Sequence, residues 1–387
     1  MTTNRHRLNL KVQDIAELTR MQREWSEGEG VELFDENDNY PRISTFVPTA
    51  YQEGFDLAMA VDGGVPPFKY LFSYVSDIHR EEQYYNAHLR NREDLAALRS
   101  AAEGKRDVGL RVRETRDKVR NYDFFPEDET TFGAGKAQMI TISYPRSHCI
   151  ATRNAIPTVY GKASAEIIFG ENAKYIPLEE MPRGAILDIR VAEILQGRGV
   201  DVGLAAPVTY RAGGSVETIE GAHISLWNTG RFGMASLKDG ACVLSTVTAD
   251  EEEIPCSYRY ENEAGQRLLV YCFDASSLLF GSSLFCHYER RRQINAHLDW
   301  LGADVPFRVE GDHANLYAMC KRGEDGSLLI VLFNFNPDAR YDLTLTLTEG
   351  LAGKSVTARN CSVTVSGDRI TADSLAAYGY VAFEIGS

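Results

Sequence analysis

The spacing of apolar residues changes near residue 207, and this change limits the folds open to the chain. Before it, helical apolar stripes alternate with short apolar runs, a pattern typical of parallel strands joined by crossover helices. The first such region has predicted helices at 8–24, 50–62 and 80–102, with predicted strands at 31–34 and 68–75. The second region, 106–206, has a predicted strand at 166–169 and a predicted helix face formed by Leu187, Val191, Ile194 and Leu195.

Beyond residue 207 the chain consists mainly of short predicted strands, among them 216–219 and 328–335. Turn sequences such as Asn336-Pro337-Asp338 and Ser366-Gly367-Asp368 separate them, and one predicted helix interrupts them at about 287–301. Evenly spaced short strands with turns between them indicate antiparallel β structure. The predicted fold class is therefore α/β followed by β.

Charge and cysteine usage narrow the function classes. The chain has 387 residues and a formal net charge of −14, which disfavours a nucleic-acid-binding surface. Seven scattered cysteines without a CxxC motif are typical of reduced intracellular thiols. The opening residues MTTNRHRLNLK lack the apolar core of a signal peptide, and no apolar run reaches about 18 residues. We therefore expect a cytoplasmic protein that does not contact membranes.

The stretch VELFDENDNYPRIST, residues 31–45, is the main candidate for chemistry. A short apolar run followed by carboxylates and amides is typical of a buried strand that delivers polar groups at its carboxyl end. Glu36 is the first candidate for a catalytic carboxylate, and Asp35 is the second. Candidate substrate-binding residues are Asn37, Asn39, Tyr40 and Arg42. The alternative is a polar loop whose side chains cap turns and helix starts.

Other motifs are weaker. The histidines are far apart and form neither HxH nor HExxH, so the sequence predicts no metal site. Gly133-Ala134-Gly135-Lys136 lacks the spacing of a P-loop, and Gly197-Arg198-Gly199 follows a helix instead of opening one. The sequence predicts no cofactor. Cys149 beside His148 could be an activated thiol, but no further part of a catalytic arrangement accompanies this pair.

Three stretches resemble parts of the family 42 β-galactosidases and their multidomain glycoside hydrolase relatives. They are DENDNYPRIST with FKYLFSYVSD and EEQYYNAHL, then AEIIFGENAKYIPLEEMPRGAILDIRVAEILQGRGVDVGL, and last RRRQINAHLDWLGADVPFRVE with LYAMCKRGEDGSLLIVLFNFNPDARYDLTLTL. The resemblance implies three domains. Residues 1–105 would be the C-terminal remnant of a (β/α)8 barrel, residues 106–206 a flavodoxin- or amidotransferase-like α/β domain that mediates trimerisation, and residues 207–387 a C-terminal antiparallel β-sandwich.

In that family the nucleophile comes from the seventh barrel strand, so the resemblance implies that Glu36 is the nucleophile. The acid/base comes from the fourth strand, which has no counterpart here. The turn Gly170-Glu171-Asn172 also lacks the cysteine of an amidotransferase. The first hypothesis is therefore a glycoside-hydrolase-like protein that is inactive alone.

Two alternatives remain: an active retaining glycosidase that uses Glu36, and a non-catalytic carbohydrate-binding or assembly module. The expected partners are an oligosaccharide or glycoside. Further copies of the chain, as in a trimer, or a second chain that supplies the missing strands are also expected.

Overall fold

A computed structural model describes residues 8–37, 49–69, 82–121, 147–227, 229–278, 282–313 and 315–386. It contains both helices and sheets, and several of the sheets are antiparallel. The chain forms two compact units that are discontinuous in sequence. The first unit comprises Met1–Gly109, Ala155–Thr158 and Val305–Ser387, and the second comprises Leu110–Asn154 and Val159–Asp304. The predicted boundaries near residues 105 and 206 divide the chain at different places.

Four helices, Leu8–Ser26, Thr49–Asp62, Glu82–Ala102 and Tyr288–Leu301, start and end within about two residues of predicted helices. The α-helices of the described ranges are α1 (Leu8–Ser26), α2 (Thr49–Asp62), α3 (Glu82–Ala102), α4 (Arg116–Arg120), α5 (Cys149–Thr152), α6 (Ile189–Gly197) and α7 (Tyr288–Leu301). Within these ranges, none of the helices has the length and apolar character needed to cross a membrane.

The strands up to residue 261 are β1 (Asp35–Asn37), β2 (Pro67–Lys69), β3 (Arg106–Asp107), β4 (Leu110–Val112), β5 (Thr158–Val159), β6 (Ala165–Ile168), β7 (Gly184–Asp188), β8 (Thr209–Ala212), β9 (Val216–Ile219), β10 (Ala222–Ser225), β11 (Arg231–Met234), β12 (Cys242–Ala249) and β13 (Glu252–Glu261). The later strands are β14 (Arg267–Tyr271), β15 (Phe307–Val309), β16 (Tyr317–Arg322), β17 (Leu328–Phe333), β18 (Arg340–Leu347), β19 (Val356–Arg359), β20 (Val363–Ser366), β21 (Arg369–Leu375) and β22 (Tyr380–Ile385).

The first unit is built around strand β17. This strand lies inside an antiparallel sheet of order β19-β22-β17-β16-β3, and every one of its residues is buried. Ile330 and Leu332 belong to a core shared with a second antiparallel sheet, β15-β18-β21-β20. Val331 and Phe333 belong to a core shared with α1, α2 and α3. Because neither face of β17 meets water, its sequence is a continuous apolar run, LLIVLF, instead of an alternation of apolar and polar residues.

A buried ionic centre joins α1 and α2 to the five-stranded sheet of this unit. We call it the Arg20 centre; its members are Glu17, Arg20, Asp62, Asp107, Tyr317 and Lys321. The Arg20 guanidinium donates to Glu17 at 2.8 Å and to Asp62 at 3.1 Å, and Lys321 Nζ lies 2.8 Å from Asp107. Burial alone would lower the pKa of Arg20, but Glu17, Asp107 and Asp62 raise it well above its usual value. These charges are therefore compensated inside the fold.

The second unit is built on a mixed sheet in the order β10-β9-β12-β13-β14-β7-β6-β4. The strands β14, β7, β6 and β4 are parallel to one another, and the others are antiparallel. Leu187, Val191 and Leu195 lie in one core with Leu268 and Val270 of β14. The parallel part therefore matches the α/β character predicted for this region, although antiparallel strands continue the same sheet.

Two predicted elements were wrong in their bounds. Leu187, predicted as part of a helix face, lies in β7. The helix α6 starts after Asp188, whose Oδ1 accepts the backbone N–H of Val191 at 2.9 Å. The predicted strand at 31–34 is not a strand, and β1 begins at Asp35. The cap formed by Asp188 sets the start of α6, and the pairing with β2 sets the start of β1. Apolar periodicity depends on neither of these interactions.

Candidate functional site

Strand β1 holds the three described members of the predicted site. It pairs in parallel with β2, with Asp35 opposite Pro67, Glu36 opposite Phe68 and Asn37 opposite Lys69. The backbone N–H of Asp35 also donates to the Pro66 carbonyl at 3.2 Å. The polar residues therefore form the strand itself instead of following an apolar one. The expectation that the preceding run is buried was wrong, since Val31 and Phe34 are exposed.

Glu36 is the exposed member of β1. Its carboxylate has no hydrogen bond or ion pair with any other residue that the structure describes. A carboxylate that is not engaged within the fold keeps its lone pairs for hydroxyl or amide donors of a ligand. A role of Glu36 in catalysis stays a prediction.

Asp35 faces the opposite side of the strand and is partly buried. Its Oδ2 accepts a hydrogen bond from the Thr19 hydroxyl of α1. Burial raises the pKa of Asp35; the Thr19 bond opposes this shift and the negative charge of Glu36 adds to it. Asp35 therefore contacts the helix α1, and it is less available to a ligand than Glu36.

Asn37 is held by α2. Its Nδ2 donates to the Gln52 carbonyl at 3.0 Å and to Asp56 Oδ1 at 2.5 Å, and its own carbonyl accepts from Gln52 Nε2 at 3.1 Å. Three bonds to a buried helix fix the end of β1, and with it the direction in which Glu36 points. The structure thus gives Asn37 an anchoring position. The other three predicted binding residues, Asn39, Tyr40 and Arg42, lie outside the described residues.

A buried polar cluster lies beneath this strand, and sequence reasoning missed it. Lys69 Nζ contacts Glu53 and lies 2.7 Å from Asp56 Oδ2, and Asn91 donates to Glu53 at 2.9 Å. His88 Nδ1 lies 3.3 Å from Lys69 Nζ. The signal was available: Glu53 and Asp56 are three residues apart on a helix that is otherwise a buried apolar stripe.

The ammonium of Lys69 supplies the positive charge of this cluster. Glu53, Asp56 and His88 present donor atoms within 4.8 Å of one another, which is a spacing suited to a metal ion. Lys69 pairs with both carboxylates and offsets part of their negative charge. Burial raises the pKa of Asp56, and Lys69 opposes the shift without cancelling it. The cluster is therefore a buried, partly compensated support for β1.

The parallel strands of the second unit end in polar side chains that serve the fold. Asp188, at the end of β7, accepts backbone N–H groups of Gly170, Val191 and Ala275 at 2.9–3.1 Å. Burial, with Asp274 nearby, raises the pKa of Asp188 to about 7. The turn after β6 carries no thiol; it is a short 3-10 helix, Gly170–Lys174, in which Asn172 accepts from Thr115.

The pKa of Glu217 of β9, in the same unit, is shifted in the opposite direction from that of Asp188. It is fully buried and accepts from Arg290 at 2.5 Å and from Ser245 at 2.7 Å. Burial opposes its ionisation, yet Arg290 and His287 lower the pKa of Glu217 to about 2. Neither Glu217 nor Asp188 is exposed, so we do not count them as members of the candidate site.

Comparison with known proteins gives only weak likenesses. No protein-family model matches the chain, and no curated protein matches it. The catalytic domain of the GH30 xylanase C from Talaromyces cellulolyticus is 16% identical over 33% of this chain and 27% of that one, with a TM-score of 0.16. The Nostoc punctiforme debranching enzyme is 14% identical over 27% of this chain and 21% of that one, with a TM-score of 0.15.

The chain thus spans about a quarter of the length of the solved structures that it matches. TM-scores this low assign neither a fold nor an activity to this chain. The site consists of the exposed carboxylate of Glu36 on a short parallel strand, which buried amides and ion pairs hold in place.

Proposed function

We propose that this chain is a glycoside-hydrolase-like protein of carbohydrate metabolism that binds a glycoside through Glu36 and does not cleave it unaided. The observation that carries the proposal is the contrast along β1: Glu36 is exposed and bonds to no described residue, while Asp35 and Asn37 beside it are held by α1 and α2. A fixed strand that presents one open carboxylate is a suitable acceptor for sugar hydroxyls.

The chemistry of glycoside hydrolysis supports the second part of the proposal, the lack of unaided cleavage. Two carboxyl groups must flank the bond, about 5–5.5 Å apart in retaining enzymes and further apart in inverting ones. Glu53 and Asp56 are buried and paired with Lys69, so they are poorly placed to protonate a leaving group. The family 42 resemblance, the barrel remnant and the amidotransferase-like domain belong to this proposal. A trimer, or a second chain with the missing strands, is a further prediction that analytical ultracentrifugation would test.

Calorimetric titration of the full chain with oligosaccharides tests the binding. We expect Glu36→Gln to weaken binding about tenfold, because a charge-assisted hydrogen bond is replaced by a neutral one. Glu32→Gln, also an exposed glutamate of this segment, is the matched control and should leave binding unchanged. Equal affinity of wild type and Glu36→Gln would contradict the proposal.

A second candidate is an active retaining glycosidase with Glu36 as nucleophile. The observation that favours it is the exposed Glu36 carboxylate on a strand that α2 holds in place, since a nucleophile also needs an accessible and fixed carboxylate. A panel of chromogenic aryl glycosides separates the two functions. Turnover by wild type that is lost in Glu36→Gln would establish the glycosidase and overturn the non-hydrolytic proposal. No turnover alongside measurable binding would support the non-hydrolytic proposal.

A further inference from the structure

The buried polar cluster beneath β1 brings three side chains that can ligate a metal to one point. Glu53 and Asp56 lie on α2, and His88 lies on α3, which packs against α2. Donor atoms of the three lie within 4.8 Å of one another. Two carboxylates and an imidazole suit a first-row ion such as Zn²⁺, whereas Mg²⁺ and Ca²⁺ prefer oxygen ligands alone. We call these three side chains the Glu53–His88 triad.

The Lys69 ammonium marks the point on which the triad converges. Its Nζ contacts Glu53 Oε1, lies 2.7 Å from Asp56 Oδ2 and lies 3.3 Å from His88 Nδ1. An ammonium group donates hydrogen bonds and accepts none, so the lone pair of His88 Nδ1 faces the same cation as the two carboxylate oxygens. An imidazole nitrogen with its lone pair directed inward is the form that binds a metal ion.

Two amides orient the carboxylates of the triad. Asn37 Nδ2 donates to Asp56 Oδ1 at 2.5 Å, and Asn91 Nδ2 donates to Glu53 Oε2 at 2.9 Å. Each carboxylate thus has one oxygen held by an amide and the other directed at the point of convergence. Outer hydrogen bonds of this kind fix the orientation of metal ligands. His88 is partly exposed, which leaves a path for an ion from solvent.

Charge also favours a divalent ion at this point. The side chains of Glu53 and Asp56 are 5% and 3% exposed, and the single ammonium of Lys69 offsets one of their two negative charges. Burial raises the pKa of Asp56 although Lys69 opposes the shift, so the ammonium does not cancel the cost of this buried charge. A divalent cation in its place would neutralise both carboxylates. The long, flexible stem of Lys69 allows its ammonium to move outward to water.

We propose that the Glu53–His88 triad binds a divalent cation of the zinc class, which displaces the Lys69 ammonium and takes its position. The lysine is then a built-in competitor, because it fills the site when the metal is scarce and lowers the apparent affinity for it. The site uses none of the groups that the proposed function assigns to a glycoside, so either proposal can fail without the other.

The experiment is a calorimetric titration of the full chain with Zn²⁺ alone. We expect Lys69→Met to bind Zn²⁺ at least about tenfold more tightly than wild type, because the competing ammonium is gone while an apolar stem remains. His88→Ala should weaken binding at least about tenfold, since even changes to the outer shell of a metal site cost about 10–100-fold. His223→Ala, which removes an exposed histidine of the second unit, is the control and should leave binding unchanged.

Co²⁺ gives a second readout, because its open d shell produces visible absorption bands that the filled shell of Zn²⁺ lacks. At equal cobalt concentration the bands should be stronger in Lys69→Met than in wild type and should be lost in His88→Ala. Thermal unfolding of each variant checks folding, and the partly exposed His88 should be replaced at little cost in stability.

The outcomes decide between the triad and other positions for the metal. Zn²⁺ affinity and Co²⁺ bands that are unchanged in His88→Ala would place the ion elsewhere and overturn the proposal. A lack of binding by both wild type and Lys69→Met would also overturn it. If Lys69→Met binds no more tightly than wild type, the competition by Lys69 is overturned. If Lys69→Met does not fold, the comparison of wild type with His88→Ala decides alone.

Discussion

The Arg20 centre and strand β1 both lie in the first unit, and both carry carboxylates. In the Arg20 centre, Glu17 and Asp62 are buried, and each accepts from a guanidinium that is itself 2% exposed. On strand β1, Glu36 is exposed and bonds to no described residue. Carboxylates thus stabilise the fold at one place and stay exposed to solvent at the other. The two places differ in whether the described residues supply a partner for the carboxylate.

Arg20→Met should have the largest effect on stability. It leaves Glu17 and Asp62 buried without their main counter-charge, and removing one partner of a buried ion pair typically costs about 3–5 kcal/mol. Urea unfolding would measure the loss. Arg23→Met is the matched control, because Arg23 also pairs with Asp62 but is 30% exposed, so its loss should be clearly smaller. A loss below about 1 kcal/mol for Arg20→Met would show that the centre is not structural.

The dependence of the unfolding free energy on pH should show the cost of burying the Asp188 carboxyl, since burial raises its pKa. The pKa of Asp188 is about 7 in the fold against an ordinary 3.8, so its contribution is complete below about pH 4 and is lost as the pH rises toward 7. This loss amounts to about 1.4 kcal/mol per pH unit within that window. Asp188→Asn should flatten the slope of unfolding free energy between pH 5 and 7.

Glu217→Gln is the control for that slope. The pKa of Glu217 is lowered to about 2 from 4.5, so its contribution is present above about pH 4.5 and is lost only as the pH falls toward 2. The titration of Glu217 itself should therefore add nothing to the slope between pH 5 and 7. A flattening in Glu217→Gln but not in Asp188→Asn would reverse our assignment of the two carboxyls.

Glu36→Gln should have the smallest effect on stability. The side chain is exposed and not engaged in the described structure, and such surface substitutions usually stay within about 0.5 kcal/mol. Chemical denaturation at neutral pH gives the value. A loss of 2 kcal/mol or more would mean that Glu36 has a structural partner, and the contrast with the Arg20 centre would disappear.

Local periodicity predicted many of the elements, because apolar spacing reflects the face that an element buries. The helix predicted at 50–62 is α2, and the strands predicted at 216–219 and 328–335 correspond to β9 and β17. Periodicity could not give the pairing of β3 with β16, since Lys321 and Asp107 are far apart in the sequence. It also could not show that β9 and β14 share a sheet with β7, or that the first unit contains both ends of the described chain.

The candidate site was predicted in part. Glu36 was singled out from its position after an apolar run, and it is exposed on β1, although that run is not a strand. Glu53, Asp56 and Lys69 were missed because α2 was interpreted only through its apolar stripe. Their pairing depends on β2 lying beside β1, and this tertiary arrangement is not encoded in local spacing.

The discontinuity of the first unit affects how the chain is synthesised. Helices α1 to α3 bury Val12, Phe55 and Leu98 in one core with β16, β17 and β22, and β16 starts roughly 200 residues after α3 ends. At ribosomal rates of about 5–20 residues per second, the apolar face of α3 stays uncovered for roughly 10–40 s before β16 is made, and those of α1 and α2 stay uncovered for longer. During that interval the nascent chain exposes surface that a chaperone must cover, so newly made protein should be most prone to aggregation before β16 leaves the ribosome.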